Sequence, residues 1–571
     1  MIQKRLNSLL IDSKKYIVYQ VLCQWLALVC QIVIIYEIAD LLEIALVAYV
    51  DRRTALIHGG IIFVAIILRC LFVRISVRVS FVACVDVKGL LRRSIYEKLI
   101  SLGSDSEEYS SSSELEQLIS ENVEQLDVYY GKYLAQKVLS LLVPIMLFAF
   151  VAVVIDITTA ILILTLVVAI LTISLLVDRV FDKRNLLNGV SIASILNLLT
   201  CITTAIGLVI TLNSFCSGKI DISDALMLII LVYEFFLPIR KYGLYKNEAK
   251  KAVEAGDRIF SFLDIGETFE FEKKAEEEKK QEENDDDFFY YDYSTVQDIF
   301  KSFLVYIRPY TKYLIISILL GVIGYISNIF IPVLAIGDIE SKNFSNEFYF
   351  VLLGLAVAGG LFSWAGEYCS RKISDKVLLY ALTIIRFITA LIVSGIVTVF
   401  MIQRSVIAGL VALLGYYLVG VIVPFLNCRG GKRYGAEVDF YLERIKTSVS
   451  VYISEKVKDI DLLESNIKNV SVFQKKLNRC EARQKTFVEM IKQLIILAVL
   501  LIVVWQVGYG AIYPIDCLLV IAIALSSFGP VESLADLSND LNVVMASSER
   551  VLAALEEESK QEEETKPGEE V

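Results

Sequence analysis

Six ionisable side chains fall inside or at the edges of long apolar runs: His58, Arg69, Arg74, Glu234, Glu367 and Arg386. A charge at membrane depth is costly, so such residues mark solute paths or internal pairs. Arg69 and Arg74 lie toward the inner end of the second run, and Glu367 lies at the equivalent point of the second half. Either they pair or line a translocation path across an inner cavity, or each snorkels to the interface on its long stem. His58 is the only histidine and sits near the outer end of its run. Haem iron wants a His, Cys or Met ligand, which a single peripheral histidine serves poorly. No group of His, Cys, Asp and Glu has metal-ligand spacing, and no nucleophile–base pair is legible. Asn197 and Gln31 read as hydrogen bonds between helices. The expectation is a chain with no catalytic residue, cofactor or metal of its own.

Nucleotide chemistry is missing in the same way. A phosphate cradle needs G-x-x-x-x-G-K-[ST]. Gly430-Gly431-Lys432 is followed by Arg433, position 427 is Asn, and no L-S-G-G occurs. ATP is expected to act only through a partner ATPase.

The elements that must hold these residues are lipid-crossing helices. The chain has 571 residues, of which 56% are hydrophobic and 21% charged. Soluble domains sit nearer 45–50% apolar, so a plain soluble enzyme is excluded. Ten cysteines exclude a secreted disulfide scaffold, and a net charge of −10 argues against nucleic acid. The apolar residues cluster in runs near the ~20 residues that a bilayer requires of a helix. The first half carries Tyr16–Val47, Ala55–Phe72, Val138–Ile155, Ile157–Val177, Val190–Ser217 and Ala225–Ile239. The second carries Tyr313–Gly337, Phe348–Gly366, Val377–Met401, Val406–Phe425, Leu494–Tyr513 and Cys517–Phe528. Met1–Lys15 has no short apolar stretch with a cleavage site, so no removable signal is expected. Only Arg52, Arg53, Lys219, Lys342 and Arg404, of 55 basic residues, fall in outer loops. The positive-inside rule then puts both termini and the linker in the cytoplasm.

Six spans plus six suggests a repeat. At an offset of 292, Pro238 meets Pro530, Asn247 meets Asn539, Glu248 meets Asp540, Arg258 meets Arg550 and Leu263 meets Leu555. The expected organisation is a six-helix domain over 1–266, an acidic cytoplasmic linker over 267–295, a second six-helix domain over 296–555 and an acidic tail over 556–571. The linker and tail are too charged to bury a core.

The endings Pro238…Arg258-Ile259…Leu263 and Pro530…Arg550-Val551…Leu555 resemble the end of the membrane domain of ABC exporters. The first half is closer to the CydDC type, the heterodimeric exporters tied to cytochrome bd assembly, through Glu121-Asn122-Val123-Glu124-Gln125-Leu126-Asp127-Val128-Tyr129-Tyr130-Gly131-Lys132-Tyr133-Leu134 with Pro144, and Glu234-Phe235-Phe236-Leu237-Pro238-Ile239-Arg240. Ala135 departs from the Pro usual after Tyr-Leu, and Lys246-Asn247 from a His-Ala. The resemblance implies an all-α membrane protein with the ABC exporter (type I exporter) transmembrane fold, 6+6 helices in parallel repeat. In that family an ATPase domain follows each sixth helix. Here Arg258 leads to the linker, and 21 residues follow Arg550.

The resemblance also implies two long helical hairpins on the inner side of each half. The first half keeps the first, Arg74–Gln136, with only Asp178–Gly189 for the second. The second half keeps only its second, Asn427–Gln493, with Glu367–Lys376 for the first. In swapped exporters the two kept hairpins converge on one ATPase position. Their tips hold the coupling residues the resemblance implies: Leu102, Gly103, Glu114 and Leu115, then Asp459, Asp461, Leu462 and Leu463. Ser110–Ser113 before Glu114 suits a helix start.

Three functions fit. The first is the permease of an ABC exporter-like transporter in a bacterial plasma membrane. It would move a small molecule, thiol- or haem-related by the resemblance, with a separate ATPase chain. The second is a degenerate exporter kept as a receptor, regulator or scaffold. The third is a secondary transporter. Partners are then the bilayer, a nucleotide-binding ATPase subunit and a small-molecule substrate, with no nucleic acid.

Overall fold

The computed structural model describes residues 5–6, 9, 14–47, 50–102, 112–184, 192–265, 308–337, 339, 344–370, 372, 375–455 and 460–535. Among them there is no strand. The helices of the first half are α1 Lys14–Val47, α2 Arg52–Leu102, α3 Ser112–Gln117, α4 Leu134–Val154, α5 Ile157–Arg184, α6 Ile192–Cys216 and α7 Ile222–Leu263. Those of the second are α8 Thr311–Gly337, α9 Asn346–Ser370, α10 Asp375–Arg404, α11 Val406–Tyr417, α12 Val423–Glu455, α13 Ile460–Gly508 and α14 Pro514–Ser526. Among the described residues, eleven helices are long and apolar enough to cross a membrane, and Ile157–Ile173 within α5 is a shorter apolar helix. The fold is an all-α, multi-pass membrane fold, consistent with that of the ABC exporter membrane domain. Val153, Leu56, Phe350 and Leu426 are among the large apolar side chains left exposed, as a lipid-facing surface requires.

Local signals set the helix ends. Asp156 accepts from the Thr159 backbone N–H (2.6 Å) and hydroxyl (2.8 Å) and so caps α5. Ser405 caps α11 by accepting from the Ala408 N–H at 3.3 Å. The turns between the fifth and sixth spans use Gly218 (φ 67°) and Gly510 (φ 70°), the left-handed conformation that glycine adopts without strain. These two glycines are 292 positions apart. The repeat seen at Pro238 and Pro530 therefore extends through the fifth and sixth spans of both halves.

The halves interlock. α6, the fifth span of the first half, packs on α9, the second span of the second half. In the same way α13 packs on α2. Each half thus sends its fifth span against its sibling's second.

The helices also show which hairpins are long. α2 has 51 residues and α13 has 49, about 76 and 74 Å at 1.5 Å per residue, against a hydrocarbon core of ~30 Å. Both run far beyond the membrane. In contrast α5 ends at Arg184 and α6 begins at Ile192, while α9 ends at Ser370 and α10 begins at Asp375. The acidic linker, the tail, Arg550 and Leu555 lie outside the described residues.

Candidate functional site: one loop platform and two inner seams

The two long hairpins share a single apolar core outside the membrane. Leu91, Ile95 and Leu99 of α2 join Leu115 and Leu118, the end of α7 at Ile259 and Phe260, Val438 and Ile445 of α12, and Leu463 and Val470 of α13. Rim charges cross the same contact, Arg93 to Glu464 at 3.4 Å and Lys475 to Asp86 at 3.8 Å. Exposed pairs of this kind contribute little; the shared core holds the hairpins together. Near the N-terminus Leu6 is fully buried in this core, and Arg5 holds Asp264 at 2.5 and 2.7 Å. That hydrogen bond keeps the Asp264 carboxyl below its usual range.

Of the expected coupling residues, Leu115 and Leu463 are buried in the platform, Glu114 and Leu462 are exposed, and Leu102 is half-buried. Gly103 and Asp459 lie outside the described residues, as does the Asp461 side chain.

Beneath the platform sits a charge cluster that sequence reasoning missed. Lys88 Nζ reaches Glu124 at 2.7 Å and Asp127 at 2.9 Å, and Arg92 pairs with the other oxygen of Glu124. Lys88 and Arg92 are buried. Burial alone opposes the Glu124 charge, yet Lys88 and Arg92 outweigh it and hold the carboxyl at about 2. For Asp127 burial dominates and its pKa rises. The two carboxylates lie three residues apart, hence on one helix face, in the segment Glu121–Leu134 already singled out. That segment contains two π-turns, Leu118–Asn122 and Tyr129–Tyr133. A π-turn frees a backbone carbonyl; here the Gly131 carbonyl accepts from Gln20 (2.8 Å, α1) and Ser80 (2.6 Å, α2). The motif therefore ties three helices together.

At the platform end of the apolar spans the two interlocked seams differ. In the seam between α2 and α13, Arg69 pairs with Glu489 at 2.7 Å and bonds to Gln31 of α1. Lys492 contacts Glu489 and Glu532, both at 2.7 Å. Gln493 donates to Glu489 at 3.3 Å and to Gln31 at 3.4 Å. Every charge here faces an opposite one. Of the two readings open for Arg69, pairing with Glu367 or snorkelling to the interface, the structure shows neither: its partner is Glu489 of the other hairpin. Arg74 is exposed on α2.

The seam between α6 and α9 is packed by small residues instead. A Cβ at Gly360 of α9 would meet Leu198 of α6 at 2.4 Å; at the adjoining contact of α6 with α7, one at Gly243 would meet Leu196 at 2.1 Å. Backbones approach this closely only without side chains between them. Glu367 lies exposed on α9. Glu234 and Arg386 are half-buried on α7 and α10. No ion pair among the described residues ties either to another candidate. His58 bonds to Glu37 at 2.6 Å and so joins α2 to α1. No group of three or more His, Cys, Asp and Glu among the described residues is arranged to hold a metal ion.

Glu489, Lys492 and Glu532 were missed because each follows or precedes an apolar run and reads locally as a flanking charge.

No family model matches the chain. It is 28% identical over 295 residues to an "Uncharacterized ABC transporter ATP-binding protein" of Haemophilus influenzae, an alignment covering 43% of this chain and 52% of the relative. A "Probable ABC transporter ATP-binding/permease protein" of the same organism is 25% identical over 307 residues, covering 44% and 56%. The chain spans about half the length of the curated relatives it matches. This likeness and the multi-span helical fold support an ABC exporter-like membrane protein, a transporter membrane component.

Proposed function

We propose that this chain is the permease of an ABC exporter-like transporter, driven by an ATPase outside these 571 residues, which moves a small molecule across a bacterial plasma membrane. Its organisation is two six-span domains, 1–266 and 296–555, with the acidic segment 267–295 and the tail 556–571 on the cytoplasmic side together with both termini. The observation that carries the reading is the platform: one long hairpin from each half, packed on one core, while the other two connections are too short to reach an ATPase. A single ATPase face docks there. Its closure on ATP pushes α2 and α13 together, and the seams below convert that push into inward and outward openings. In this reading ATP hydrolysis belongs to the partner, since no G-x-x-x-x-G-K-[ST] occurs in the sequence. The likeness of the Glu121–Leu134 and Glu234–Arg240 stretches to the CydDC type supports placing it near those exporters.

The test is purification of the full chain in mild detergent and assay of the complex for ATP hydrolysis. The reading expects a stoichiometric ATPase whose association is lost when Leu102–Leu115 is replaced by a flexible Gly-Ser segment. A well-folded chain that carries no ATPase would instead favour the receptor or scaffold reading.

A further inference from the structure

The first two spans leave an open groove between them, in the part of α2 away from the platform. Val29 and Val33 of α1 line it with Ile57, Ile61, Val64 and Leu68 of α2, and its volume is about 550 Å³. No charged group, amide or hydroxyl is among the side chains that line it. Both walls belong to helices apolar enough to cross a membrane, so the groove opens onto lipid. Gly60 lies along it, and a Cβ there would meet nothing within 4 Å. From Leu56 to Leu68 the helix rises ~18 Å, so the groove averages about 30 Å² in cross-section, which is too narrow for a helix 10–12 Å across but wide enough for a hydrocarbon chain.

Beyond Val33 and Ile57 the surroundings become polar. His58 Nδ1 lies 2.6 Å from Glu37 and bridges the two helices, and Asp40 Oδ2 is 3.8 Å from Nε2 of the same ring. On α1, Val29, Val33, Tyr36 and Asp40 follow one another at three- and four-residue spacing and share a face. On α2, Arg53, Ile57, Ile61 and Val64 do the same. Each apolar stripe therefore runs into a charge, half-buried Asp40 on one wall and exposed Arg53 on the other. Arg53 forms no ion pair with a described residue.

We propose that this groove is a phospholipid site, holding one acyl chain of a lipid whose headgroup carries both a phosphate and a free ammonium, as phosphatidylethanolamine does. The tail lies along Gly60 between the two stripes. The guanidinium of Arg53 matches two phosphate oxygens, and Asp40 accepts from the ammonium. The tail does not select, because every lipid tail is equally apolar; the two opposite charges do. A purely anionic headgroup would bring a like charge to Asp40, and a quaternary ammonium has no N–H to donate. The inference rests on the membrane-crossing helices and is independent of the permease reading and of any ATPase.

The experiment is native mass spectrometry of the full chain released from mild detergent, titrated with phosphatidylethanolamine, phosphatidylglycerol or phosphatidylcholine of identical tails. Wild type is expected to retain one phosphatidylethanolamine at a half-saturating concentration at least fivefold below that of either other lipid. Gly60→Leu projects into open space and replaces glycine by a better helix former, so the fold stands while the groove is filled; half-saturation should rise tenfold or more. Gly395→Leu, at another helical glycine with nothing within 4 Å of an added carbon, leaves it unchanged. Arg53→Gln weakens retention of all three lipids, and Asp40→Asn narrows the gap between phosphatidylethanolamine and phosphatidylglycerol. Equal retention of the three lipids by wild type, or unchanged phosphatidylethanolamine retention in Gly60→Leu, overturns the assignment. So does a membrane polypeptide that copurifies with wild type and is lost in Gly60→Leu, which would put a partner's helix in the groove.

Discussion

At the scale of residues, the neighbours of a buried charge decide what it contributes to the fold. Lys88, Arg92, Glu124 and Asp127 hold one another. Removing one member of a buried pair leaves the other uncompensated, which costs about 3–5 kcal/mol. Glu124→Gln is therefore expected to lower the stability of the platform by that order, read as faster hydrogen exchange in 84–99 and 118–133. The pH dependence has a definite sign. The Glu124 carboxyl has a folded pKa of about 2 against an ordinary 4.5, so its contribution is complete above pH 4.5 and disappears as pH falls toward 2. Asp127, shifted the other way by burial, offsets part of this. Limited proteolysis of the platform between pH 6 and 3 should show cleavage rising on the acid side, with a weaker rise in Glu124→Gln. Gly131 is a second sensitive position. A Cβ there would meet the Cys84 sulfur at 3.0 Å and the Ser80 hydroxyl at 3.2 Å, so Gly131→Ala is expected to destabilise by about 1–3 kcal/mol through overpacking, measured by thermal unfolding.

At the scale of elements, the contrast is between a seam closed by charge and a seam closed by glycine. Arg69, Glu489, Lys492 and Glu532 form a chain of opposite charges. A double-mutant cycle with Arg69→Met and Glu489→Met should give a coupling energy of about 1–3 kcal/mol, with each single variant worse than the pair predicts from independence. Independent effects would mean that the contact is incidental. In the other seam Gly360→Val would push on Leu198, whose backbone already lies 3.1 Å from the added carbon. The expected result is loosening of α6 from α9 with the charged seam intact. Much of this level was legible in the sequence. Apolar runs and hairpin lengths are local properties, and Pro238 with Pro530 exposed the repeat. The seam partners were not legible, because Arg69 meets a carboxylate from the far end of the chain. Helix interlocking makes that contact, and no periodicity records it. The Glu121–Leu134 stretch stood out as a motif, but its π-turns and its grip on Gln20 and Ser80 appear only when three helices are seen together.

At the scale of the molecule, the account rests on interlocked halves that bring one long hairpin each to the same side. This follows from lengths: α2 and α13 outrun the bilayer, whereas the 184–192 and 370–375 connections do not. It also explains why the candidate coupling residues Leu115 and Leu463 are buried in one core rather than exposed on two separate tips. The most direct measurement is disulfide cross-linking in native membranes. A Cβ at Gly89 would lie 3.7 Å from the Ser471 hydroxyl, so Gly89→Cys with Ser471→Cys, in a background depleted of other cysteines, should oxidise readily within one chain. Both thiols should react with an impermeant maleimide only from the cytoplasmic face. A pair that fails to cross-link, or thiols labelled from opposite faces, would contradict the single platform and the interlocked fold beneath it.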